Sequence, residues 1–80
     1  MHQLESHDFG LRTYVDNTTS ATYTYFCKAL DPKASTSAKV WVCWRVTNAD
    51  GSKSFANGID NFTNPAALVK ATDAATLTYV

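Results

Sequence analysis

The chain of 80 residues predicts an all-β fold: a small antiparallel sandwich or partly closed barrel of four to five strands, with one short helix near the C-terminus. Three observations carry this expectation. Residues 38 to 47 (AKVWVCWRVT) alternate large apolar groups onto both faces of one strand, with Val40, Val42, Trp44 and Val46 on one side and Trp41, Cys43 and Arg45 on the other. Residues 21 to 29 (ATYTYFCKA) combine tyrosine, threonine and phenylalanine, which favour a pleated surface. Asn48-Ala49-Asp50-Gly51 ends the first of these runs with a hairpin signal.

The elements follow in order. Residues 1 to 10 are polar, carry both histidines and show no sustained period, so they read as a flexible N-terminal arm; residues 11 to 80 read as a single β domain. Leu11 to Val15 alternates as a short strand. Asp16-Asn17-Thr18-Thr19-Ser20 is a turn, rich in side chains that bond their own backbone. In the second strand Tyr23, Tyr25, Cys27 and Ala29 share one face, and Thr22, Thr24, Phe26 and Lys28 the other. Asp31-Pro32 opens a turn, and Ala34-Ser35-Thr36-Ser37 reads as an exposed, flexible loop. A hairpin across that loop sets Cys27 opposite Cys43, Tyr25 opposite Arg45 and Ala29 opposite Trp41.

After Asp50-Gly51 a short strand centres on Phe55. An Asx-rich loop follows, with Ile59 and Phe62 as apolar anchors. Asn64 is the N-cap and Pro65 the first residue of a turn or two of helix through Lys70. Ala75 to Val80 reads as a last strand.

Composition narrows the function. Seven basic and seven acidic side chains cancel, so the chain has no long-range attraction to nucleic acid or to an anionic membrane, and nucleic acid is not an expected partner. No apolar run approaches the roughly 20 residues of a membrane helix. The start lacks the basic and apolar regions of a signal peptide, so a cytoplasmic product is expected. In that reducing setting Cys27 and Cys43 are expected to be buried free thiols, with a bridge between adjacent strands as the alternative.

Sites for chemistry are sparse. His2 and His7 lie in the arm, away from any nucleophile held in a strand, and all five aspartates beyond residue 10 fall in turns. His2, Glu5, His7 and Asp8 match no standard metal spacing, and Asn57, Asp60, Asn61 and Asn64 lack the order of a calcium loop. No glycine-rich phosphate cradle is present. The expectation is no enzyme, no cofactor and no metal. Tyr23, Tyr25, Trp41 and Arg45 share one face and form the candidate interface, since these residue types concentrate at binding hot spots. Trp41 is then the outward tryptophan, and Trp44, among Val40, Val42 and Val46, the interior one. The same aromatics, with Lys39 nearby, also fit a base-stacking platform.

A family resemblance adds to this reading. Tyr23-Thr24-Tyr25, Lys28-Ala29, Ser35-Thr36-Ser37, Val40-Trp41, Arg45-Val46, Ala56-Asn57-Gly58, Asp60-Asn61-Phe62, Asn64 and Ala75-Thr76-Leu77-Thr78-Tyr79 together resemble a group of small proteins of tailed bacteriophages, over about residues 20 to 80. The chain departs from the group after Asn64, where Pro65 to Lys70 replaces an aromatic-containing charged run. The resemblance implies a structural protein of the virion, as capsid decoration or as a tail or neck component. Such a protein would assemble with copies of itself and with larger phage structural proteins. The alternatives are a single-stranded nucleic-acid-binding module and a small phage inhibitor of a host protein.

Overall fold

The computed structural model describes residues 11 to 80; the expected arm, residues 1 to 10, lies outside the described residues. The fold is all-β and antiparallel, as its alternation predicts. Four strands, β1 (Arg12–Asp16), β2 (Tyr23–Ala29), β3 (Trp41–Thr47) and β4 (Lys53–Phe55), form one sheet in the order β1-β2-β3-β4. The β2–β3 register pairs Cys27 with Cys43, Tyr25 with Arg45 and Ala29 with Trp41, as the hairpin reading requires.

Local side chains close the turns. Asp16 Oδ1 accepts from the Thr18 and Thr19 N–H groups at 3.0 and 3.1 Å, and Oδ2 accepts from the Thr19 hydroxyl at 2.6 Å. These donors, the Thr19 hydroxyl foremost, hold the Asp16 carboxyl below its ordinary value. At the β3–β4 turn Gly51 takes a φ of 76°, open to glycine without steric cost, and its N–H donates to the Thr47 carbonyl at 2.7 Å.

The sheet is open, and its second layer is neither another sheet nor a barrel wall but the C-terminal segment. Asn64 caps a single 3₁₀ turn, Pro65–Ala67, through its Oδ1 and the Ala66 N–H. Val69 then exchanges both backbone bonds with Trp41, at 2.9 and 3.0 Å. A second 3₁₀ helix, Ala71–Thr76, lies against β2 and β3 with Ala71 and Ala74 buried. Side chains this small let a backbone approach the sheet closely, which strand alternation does not require. The expected last strand is therefore replaced. Residues 71 to 76 are helical, and only Tyr79 bridges, to Ala56.

The core lies between these layers: Tyr25, Cys27, Ala29, Ala34, Trp41, Cys43, Ala56, Ala71 and Ala74, with Tyr14, Tyr23, Val69, Leu77 and Tyr79 packed around it. The expected flexible loop at 34 to 37 is in fact anchored. Ala34 is buried, Arg12 Nη1 donates to its carbonyl at 2.6 Å, and Trp41 Nε1 donates to the Ser35 carbonyl at 2.9 Å.

Candidate functional site

The four residues expected at an interface do converge on one face, but that face is the inner one. Trp41 is 0 % exposed and Tyr25 5 %, while Tyr23 and Arg45 are half-buried at the rim of the same cluster. The assignment of the two tryptophans is reversed: Trp41 is the interior residue and Trp44 the partly exposed one. The reason is the C-terminal segment, which folds over the face carrying Trp41 and supplies a cover from within the chain. Tyr14 meets Trp41 edge-on at 6.5 Å.

Arg45 is held in an aromatic clasp. Its guanidinium lies 4.0 Å from the Tyr23 ring centre and 5.1 Å from that of Tyr79. Tyr79 also packs on Tyr25 at 5.8 Å and donates its hydroxyl hydrogen to the Ala74 carbonyl at 2.6 Å. Burial, reinforced by Tyr25 and opposed by Arg45, pushes the Tyr79 phenol up to about 12. These contacts lock the C-terminal segment to the sheet.

Cys27 and Cys43 form a disulfide, which corrects the expectation of free thiols. The facing register was legible in the sequence; the oxidation state was inferred from the presumed compartment, and that inference is what fails. Both cysteines are 1 % exposed, with Cα atoms 4.1 Å apart. Among the described residues, no three His, Cys, Asp or Glu side chains group as a metal site would require.

Two surfaces remain. The first is the outer face of the sheet. The register sets Val15 opposite Phe26, Phe26 opposite Trp44 and Trp44 opposite Phe55, so one apolar row crosses all four strands. Phe26 and Trp44 stack nearly parallel, 14° between planes and 5.8 Å between centres; Trp44 and Phe55 follow at 5.9 Å. Each of these three rings is only partly buried, and Val15 is exposed. Lys28 Nζ lies 5.8 Å from the Trp44 ring, and Lys53 Nζ lies 5.5 Å from Phe55 and 6.0 Å from Trp44. Sequence reasoning passed over this row. The signal was Phe26 and Trp44 alternating with the core positions, but an apolar residue reads as core until its cover is known.

The second surface is an edge. Phe55 and Val80 exchange backbone bonds at 3.4 and 3.0 Å, and the Asn57 N–H donates to the Thr78 carbonyl, so the C-terminal residues cap β4. Nothing among the described residues pairs with the outer side of β1. Trp41 bonds Val69, and the Cys43 carbonyl accepts from Ala56, so both turn their backbone groups away from β2. Antiparallel alternation then assigns the bonds from β2 to β1 to Arg12, Tyr14 and Asp16. Thr13 and Val15 turn their N–H and C=O groups to the open side.

Comparison with protein-family models, with curated proteins and with solved structures finds no match to this chain.

Proposed function

We propose that this chain is a non-catalytic structural component of a tailed-phage particle, capsid decoration or a tail or neck part, that works by protein–protein assembly. The observation that carries the reading is the asymmetry of the sheet edges: β4 is capped by the chain's own C-terminus, whereas among the described residues nothing pairs with the backbone donors and acceptors that Thr13 and Val15 on β1 turn outward. Such an edge templates one added strand, from another copy or from a larger particle protein. With one open edge among the described residues, the addition is one-sided, so the chain attaches or pairs rather than polymerising through its sheet. The phage context comes from the resemblance over residues 20 to 80. The Cys27–Cys43 bridge agrees with it, since disulfides persist at virion surfaces and other oxidising places.

The test is mass spectrometry of purified particles of the source phage, paired with Thr13→Pro. Proline at an edge position whose N–H faces outward leaves the sheet's own bonds intact and removes the donor an added strand would use. The expected result is a stoichiometric particle component whose Thr13→Pro variant folds but fails to incorporate. Absence from the particle overturns the proposal, and normal incorporation of Thr13→Pro overturns its mechanism.

A further inference from the structure

We infer that the outer face of the sheet is a binding platform for single-stranded nucleic acid, with Phe26, Trp44 and Phe55 stacking bases and Lys28 and Lys53 holding phosphates. This surface is separate from the β1 edge, and the inference stands or falls independently of assembly.

The three rings sit on three successive strands, so the row runs across the sheet and can seat consecutive unpaired bases, each of which offers a planar face. The cations are placed to match. Lys28 pairs with Val42 and Lys53 with Val46, which lie on opposite sides of Trp44 along β3, so one ammonium flanks the row on either side. Among the described residues the other side chains of the four strands on this face are threonine and valine, and no acidic side chain shares it. The formal neutrality of the chain therefore hides a local separation: the five described aspartates stand at a strand end or in loops and the 3₁₀ helix.

Charge also decides against the nearest competitor. A second copy docked face to face by a two-fold axis would set lysines against lysines, with no described acidic side chain on that face to offset them. A duplex fits poorly, since its bases are stacked away and no element among the described residues is shaped to enter a groove. A flexible polyanion with exposed aromatic faces satisfies both halves of the site at once.

The test is titration of the full chain with a ten-nucleotide oligothymidine, followed by tryptophan fluorescence and repeated at several salt concentrations. Trp41 is sealed in the core, so quenching reports Trp44. With two phosphates neutralised, the log–log salt slope is expected to be about −1.4. Lys28→Gln with Lys53→Gln, both on the sheet surface, should keep the circular dichroism spectrum and flatten the slope toward zero. Trp44→Ala should weaken binding by about tenfold or more. Should that variant unfold, Phe55→Leu serves instead, with a loss of affinity again expected. No quenching, equal binding of polyglutamate or of a DNA duplex, or full affinity in the double lysine variant would each overturn the inference.

Discussion

The two faces of the sheet are built from the same kinds of residue and have opposite fates. β3 sends Trp41 to one side and Trp44 to the other, three positions apart. Trp41 is sealed beneath Ala71, Ala74 and the loop at Ala34, and its indole N–H is satisfied by the Ser35 carbonyl. Trp44 keeps part of its surface in water, between two phenylalanines and two lysines. Covering one face used the C-terminal segment, and an 80-residue chain has little left with which to cover the second. The outer face is not bare throughout, since Val42 is buried there. The contrast teaches that apolar content says which residues gain from burial, while the supply of a second layer decides which of them obtain it.

The largest expected effect is at the sealed face. Trp41→Ala should destabilise the domain by about 3–5 kcal/mol, as for other buried aromatics, and for a domain this small that approaches complete unfolding. Denaturant midpoints would check it. Trp44→Ala, which loses two aromatic contacts but opens no sealed cavity, should cost only about 1–2 kcal/mol. If Trp44→Ala proves the more damaging, the two faces have been read the wrong way round.

Next comes the bridge that ties β2 to β3 beneath the cover. The cysteines are 16 residues apart, and a loop of that size corresponds to about 3 kcal/mol of stabilisation. Cys27→Ala with Cys43→Ala should lower stability by about that amount. Unfolded, non-reduced protein should give no free thiol in a titration. Two reactive thiols in such a sample would remove the bridge from the inner face.

Tyr79 fastens the cover, and its pH dependence follows from its raised pKa. The folded state favours the neutral phenol, so its contribution is complete below the ordinary value of 10.0 and is lost as pH rises toward about 12. Melting temperature should therefore fall across that window, and Tyr79→Phe should remove the slope. An unchanged slope would mean that another group reports the alkaline transition.

The smallest effect lies at the β1–β2 turn, outside both faces. Asp16 is bound as a carboxylate by Thr18 and Thr19, so its contribution is present above the ordinary value of 3.8 and fades as pH falls through its lowered folded value. Asp16→Asn should make the melting temperature slightly less sensitive to acid. An equal acid sensitivity would show that the turn contributes nothing measurable.

The sequence by itself determined the four strands of the sheet, the β2–β3 register and the turn chemistry, though it also predicted a last strand that residues 71 to 76 do not form. The period of two in residues 23 to 29 and 41 to 47 sorts side chains between faces, and pairing Cys27 with Cys43 follows once a hairpin is granted. The Asp16, Asp50-Gly51 and Asn64 signals act within a few residues, so they too were legible. Tertiary structure alone decided which face is inside. Ala71 to Thr76 carries no strong period, and its value to the fold is small size against the sheet, a property visible only when the sheet is present. For that reason Tyr23, Tyr25, Trp41 and Arg45 read as an interface, whereas Tyr25 and Trp41 lie in the core with Tyr23 and Arg45 at its rim. Phe26, Trp44 and Phe55 met as a row only when three strands came into register. Local interactions are written in neighbouring residues; the choice between two equally apolar faces depends on where a distant segment comes to rest.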